Sequence, residues 1–139
     1  VIVLDTNVVS EPTQPRPNQV VMNWLDRQAR ETLFLTSTSL AELLVGLETM
    51  PPGRRGQGLA AELSSLLEDF FGPRILPFER KAAVVYAQLV GRARSAGHAL
   101  SVADAQIAAI TEVHGFLLAT RDVAPFAAAG VRLFNPWLR

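Results

Sequence analysis

The sequence predicts an α/β fold: a central parallel sheet of four to five short strands, sandwiched between helices. Three observations carry this expectation. The opening run Val1-Ile2-Val3-Leu4 is apolar without alternation, as in a strand buried on both faces of a parallel sheet. Comparable short runs recur at 32–36, 74–78, 116–120 and 131–134. Segments with helical spacing separate them, which calls for right-handed crossovers. No linker or repeat divides residues 1–139, so one domain is expected.

The first strand stops at Asp5, which with Thr6 can cap a short helix over 6–10. Pro12, Pro15 and Pro17 then make a stiff connection. Asn18 is placed to cap a helix reaching about Arg30, with Val21, Trp24, Leu25 and Gln28 on one side. Strand two, Thr32 to Thr36, leads to Ser39-Leu40-Ala41-Glu42, which reads as a capping box opening a helix to about Met50. Its apolar stripe is Leu40, Leu43, Leu44 and Leu47. Pro51-Pro52-Gly53 ends it, and Arg54 to Gly58 reads as a polar loop before a helix over 59–71.

Arg74 to Phe78 reads as an edge strand because of Pro77. A helix over 79–96 follows, with Ala83, Tyr86, Ala87, Leu89 and Val90 as its packing face and Gly97 as its end. Ser101-Val102-Ala103-Asp104 is a second capping-box pattern. It opens a helix to Val113 that is apolar almost all round and hence buried. Phe116 to Thr120 is the fourth strand, a helical turn spans Val123 to Ala129, and Val131 to Phe134 is the last strand.

Composition narrows the functional classes. Hydrophobic residues make up 49% of the chain, as in a globular domain. No run is long and apolar enough to span a membrane, and no leader pattern is present, so a cytoplasmic location without membrane association is expected. The lack of cysteine removes disulfides and thiolate metal sites. Zero net charge argues against a protein that coats nucleic acid through bulk charge, though not against an enzyme that holds a few phosphates.

Four acids attract attention. Asp5 and Asp122 end strands, and Glu42 follows one closely, so a parallel sheet brings these junctions to one edge. Asp104 starts the buried helix before the fourth strand, and its side of the sheet is not fixed by pattern. Taken singly, each reads as a helix cap or a first-turn acid favoured by the helix dipole. Gathered together, they repel: two carboxylates about 4 Å apart cost roughly 4 kcal/mol at an effective dielectric of 20. Protonation or a divalent cation has to relieve that. An all-oxygen set, with only His98 and His114 elsewhere, favours Mg²⁺ or Mn²⁺ over Zn²⁺. A carboxylate-held Mg²⁺ points to phosphate-ester chemistry, as in a nuclease or phosphatase.

At this point the residues resemble a family. Leu4-Asp5-Thr6-Asn7-Val8, Leu40-Ala41-Glu42-Leu43, Ser101 to Ala109 and Ala119-Thr120-Arg121-Asp122 are similar, in order and spacing, to the four motifs of PIN-domain ribonucleases of the VapC toxin type. Ser10-Glu11-Pro12, Arg74 to Phe78 and Phe134 to Trp137 further resemble the FitB-like subgroup. The resemblance implies a single PIN domain. Asp5, Glu42, Asp104 and Asp122 would be its catalytic, metal-binding acids, and Thr6, Asn7 and Thr120 would orient them or touch phosphate. It implies RNA as substrate and a homodimer bound to a cognate antitoxin. That antitoxin would be of ribbon-helix-helix type with a basic C-terminal tail, would join the dimer in a higher hetero-oligomer, and would carry the complex to operator DNA. Two other readings stand beside this one. One is a non-catalytic binding module of a DNA-bound repressor complex. The other is an aspartate-based phosphatase with Asp5 as nucleophile, which the absence of a second carboxylate at residue 7 disfavours.

Overall fold

The computed structural model describes residues 1–138. Five parallel strands form the sheet: β1 (Ile2–Leu4), β2 (Leu33–Thr36), β3 (Ile75–Leu76), β4 (Leu117–Ala119) and β5 (Leu133–Phe134). Seven α-helices join them: α1 (Thr6–Ser10), α2 (Gln19–Asp26), α3 (Ser37–Glu48), α4 (Arg54–Ser65), α5 (Arg80–Ser95), α6 (Val102–Val113) and α7 (Val123–Ala128). The strand order is β3-β2-β1-β4-β5. The chain therefore builds outwards from β1 on one side, then returns to lay β4 on its other side. That reversal makes the carboxyl end of β1 the topological switch point, where parallel sheets leave a crevice.

Successive β1 side chains face opposite ways, and both faces are covered. Val3 packs with Leu118 under α5 and α6, among Leu89, Ala93, Ile107 and Ile110. Leu4 packs with Leu33, Leu35 and Ala119 against Val8, Val9, Trp24 and Phe71. Helix α6 is as buried as its composition predicts: Ala105, Ile107, Ala108, Ala109, Ile110 and Thr111 are all inaccessible. Gly97 (φ 80°) and Gly115 (φ 69°) turn the chain out of α5 and α6 in the left-handed region that suits glycine.

Several expectations need correction. Helix α3 starts at Ser37, and its cap is Thr36, whose hydroxyl accepts the Ser39 N–H at 3.0 Å. Ser39 is therefore inside the helix, and Glu42 lies beyond its first turn. Arg54 to Gly58 is not a loop but the start of α4. Gly56 and Gly58 lower intrinsic helix propensity there, yet packing through Leu63 and Leu66 outweighs it. The helix then widens into a π-turn over Leu66–Phe71. Helix α2 ends at Asp26, short of Arg30, where Gln28 Nε2 donates back to the Trp24 carbonyl at 3.0 Å. On α5 the buried line is Ala82, Leu89 and Ala93, with Val85 and Tyr86 partly covered; Ala83 and Ala87 are exposed. The strands are one to three residues shorter than the apolar runs. No helix among the described residues is long and apolar enough to cross a membrane.

Candidate active site

The carboxyl ends of β1 and β4 are stitched together where the acids meet. Asp5 N–H donates to the Ala119 carbonyl at 2.9 Å, continuing the ladder one residue past β1. This directs the Asp5 side chain into the crevice, where it is 3% exposed. Its Oδ1 accepts the Thr6 N–H at 2.8 Å, capping α1. Its Oδ2 accepts the Thr120 hydroxyl at 2.7 Å and, more distantly, Asn7 Nδ2 at 3.4 Å. Thr120 Oγ1 in turn accepts the Asp122 N–H at 3.1 Å, and Asn7 Oδ1 accepts the Arg121 N–H at 3.4 Å. The polar residues beside the acids thus hold the two strand ends in register.

A second set of contacts ties β1 to α3. Thr6 Oγ1 donates to Glu42 Oε1 at 2.6 Å and lies 2.9 Å from Ser39 Oγ in a hydroxyl–hydroxyl bond. Asp104 comes from the first turn of α6, where the Ser101 hydroxyl accepts its N–H at 3.0 Å. Asp122 precedes α7 without capping it through its side chain.

Electrostatics link the four acids: Asp104 and Glu42 act on Asp5, and Glu42 and Asp122 act on Asp104. Burial pushes the Asp5 carboxyl up to about 6; the Thr120 hydroxyl and Thr6 N–H oppose this, and the charges of Asp104 and Glu42 add to it. Asp104 is also raised, first by burial and then by Glu42 and Asp122, against the lowering effect of the Ser101 hydroxyl. Asp104, whose side of the sheet was open in the sequence, therefore stands at the same edge as the rest. Among the described residues the sole ion pair is Arg92–Glu112, so no basic side chain neutralises this group.

The donor set fits a hard divalent cation: four carboxylates with hydroxyl and amide neighbours, and no basic side chain ion-paired with them among the described residues. Asp104 links the other three carboxylates electrostatically, but no three acidic or histidine side chains among the described residues are drawn together as a ready-made ligand set. Glu42 is turned towards Thr6 and Asp5 towards Thr120.

Sequence reasoning missed Ser39 as a site residue. It is fully buried and in contact with Thr6, and its reading as a helix cap concealed it. Arg121, whose guanidinium lies 5.1 Å from the Trp137 ring centroid, enters the sequence reading only as a member of the fourth motif.

The family profile described as PIN domain matches residues 2–131, which include all four acids. The chain belongs to the PIN-domain family. Full-length relatives of this PIN domain agree. It is 46% identical to the plasmid stability protein StbB of Pseudomonas syringae pv. tomato, over 98% of both chains. It is 43% identical to the VapC ribonuclease Y4jK of Sinorhizobium fredii, over 98% of this chain and 97% of that one. It is 40% identical to toxin FitB of Neisseria gonorrhoeae, over 98% of both. In three dimensions it is similar to a chain of the crystal structure of FitAcB from Neisseria gonorrhoeae, with a TM-score of 0.94, 40% identity and full coverage of both chains. A chain of FitAB bound to an IR36 DNA fragment gives a TM-score of 0.94 at 39% identity, over 99% of this chain and 96% of that one. The resemblance to the VapC type read from the four motifs, and to FitB read from Ser10 to Pro12, Arg74 to Phe78 and Phe134 to Trp137, is thereby borne out.

Proposed function

We propose that this PIN domain is the toxin of a type II toxin–antitoxin pair and cuts RNA endonucleolytically with Mg²⁺ or Mn²⁺. The observation that carries this reading is the meeting of Asp5, Glu42, Asp104 and Asp122 at the switch point, with Asp5 buried and no basic side chain paired with them among the described residues. The relatives named VapC ribonuclease and toxin FitB supply the biological setting.

A bound divalent ion polarises a phosphoryl oxygen and lowers the pKa of water. The protein's own part is to present and orient the acids. Asp5, Glu42, Asp104 and Asp122 would hold the ion. Thr120 and the Thr6 N–H fix the plane of the Asp5 carboxylate, and the Thr6 hydroxyl sets Glu42. Asn7 bridges the Asp5 carboxylate and the Arg121 backbone, at the place where a phosphate entering the crevice would meet it.

The partners follow from the similar complexes. FitAB was solved bound to a DNA fragment, which supports a partner that carries this chain to DNA. The proposed partner is a cognate antitoxin of ribbon-helix-helix type with a basic tail, and the DNA its operator. The exposed apolar side chains Leu44, Val45 and Val84 leave surface for a homodimer and for that antitoxin. The compartment would be the cytoplasm, where RNA and operator DNA are both present. The DNA-bound relatives also favour a second reading, a repressor module whose cleft stays filled. The phosphatase reading is weakened because both Asp5 oxygens are engaged and the group is almost inaccessible, which suits a ligand held in place rather than a free nucleophile.

The test is induction of this chain alone beside Asp5→Asn, with growth curves and mapping of new RNA 5′ ends. Arrest and new ends confined to the parent are expected. Soluble protein that neither arrests growth nor creates ends would favour the repressor module, and a phosphorylated Asp5 would favour the phosphatase.

A further inference from the structure

Beside the acids lies a notch of opposite character. It is lined by Asn7, Ser10, Gln14, Arg16, Arg121 and Trp137, and it reaches the catalytic edge through Asn7. Arg16 and Arg121 are exposed, and neither forms an ion pair among the described residues. Glu11 also lines the notch, and its Oε1 accepts the Asn18 N–H at 3.4 Å, which leaves the two arginines in excess over one acid. Arg121 is held at both ends: its backbone N–H donates to Asn7 Oδ1, and its guanidinium rests over Trp137. A guanidinium stacked on an indole keeps its edge donors free for a phosphate and loses little freedom when it binds one.

We propose that this notch is a phosphate-binding subsite for the RNA strand next to the cleavage position, with Arg16 and Arg121 each taking one phosphate and Trp137 orienting Arg121. The assignment rests on the ribonuclease reading above and deepens it. It also answers how a chain of zero net charge holds a polyanion: two arginines stand beside four acids, so a strand is gripped on one side of the crevice only. A basic peptide tail suits the acids and is repelled by the notch, which favours RNA over the antitoxin as its occupant.

Trp24 and Trp137 are the only tryptophans, so a Trp24→Phe protein reports on the notch through Trp137 emission. The probe is a random-sequence, fully 2′-O-methylated single-stranded RNA of about twelve nucleotides, titrated at several salt concentrations in the range where single-strand binding is salt-dependent. Saturable change in Trp137 emission is expected. Arg16→Gln and Arg121→Gln should each weaken binding about tenfold and each reduce the slope of log K against log[salt] by about 0.7, the value for one lost phosphate contact on a single strand. Arg121→Lys should restore the slope but not the full affinity, because the stack is lost. Cleavage of unmodified RNA is measured in parallel. Cleavage by the parent with unchanged affinity and slope in both glutamine variants would overturn the subsite and leave the ribonuclease reading standing. Absence of cleavage by the parent would strike that reading itself. Loss of antitoxin binding rather than RNA binding in the glutamine variants would reassign the notch to a protein contact.

Discussion

Thr120 donates its hydroxyl proton to Asp5 across 115 positions of sequence, at 2.7 Å and out of contact with solvent. The same oxygen accepts the Asp122 N–H, so one threonine serves two of the four acids. Thr120→Val keeps the shape and removes both bonds. It should destabilise the protein by about 1–3 kcal/mol, as expected when a buried acceptor and donor are left unpaired, and should lower RNA cleavage. Thermal denaturation beside a cleavage assay checks this; a variant with the parent's stability and activity would refute it.

Asp5 should give the fold an inverted pH dependence. Its folded carboxyl is raised to about 6 from an unfolded value of 3.8. The native state therefore binds more protons than the unfolded state between those values. The relative stability from this group is full below the unfolded pKa and is lost as pH rises through about 6. The metal-free protein should lose on the order of 1–3 kcal/mol from this source between about pH 4 and 6.5. Asp5→Asn should flatten that segment of the profile and stand above the parent near neutral pH, while abolishing cleavage. Urea denaturation in EDTA across this range tests both signs.

Divalent ions should stabilise the parent. An ion bound only by the folded state contributes RT ln(1 + [L]/Kd), about 2.7 kcal/mol at a hundredfold excess over Kd. Mg²⁺ or Mn²⁺ should raise Tm reversibly, EDTA should cancel the rise, and Asp104→Asn should reduce it sharply. Identical shifts in parent and variant would place the ion somewhere else.

A structural control lies at the cap of α2, whose side chain contacts none of the four acids. Asn18 Oδ1 accepts the N–H groups of Val20 and Val21 at 2.9 and 3.2 Å. Asn18→Ala should cost about 0.5–2 kcal/mol of stability and leave cleavage unchanged below the melting range.

Much of the site was legible because it depends on where strands end. An apolar run that stops at an acid marks both a strand and its carboxyl edge, and Asp5 and Asp122 sit where that reasoning puts them. Asp5 also caps α1, so its structural reading holds at the same edge where its proposed function lies. Glu42 is the opposite case. Its supposed capping box dissolves because Thr36 captures the Ser39 N–H first, and with it goes the ordinary explanation for Glu42. Nothing in the local sequence separates Thr36 from Ser39 as a cap; the end of β2 decides it. Likewise two glycines hid the start of α4, where packing outweighs propensity. The face of α5 was misplaced because alanine suits both a buried line and an exposed one, and only the neighbours distinguish Ala82 from Ala83.

The strand order has a consequence for synthesis. β1 is made first yet occupies the middle of the sheet, and its β4 neighbour follows only after β2 and β3. On the ribosome, the emerging chain carries Asp5 with one flank of its strand bare until Leu117–Ala119 clears the exit tunnel. Thr120 and Asp122 arrive in the same moment. A product that ends before Thr120 thus lacks both the buttress of Asp5 and the fourth acid, so the proposed site cannot be assembled until most of the chain has been made.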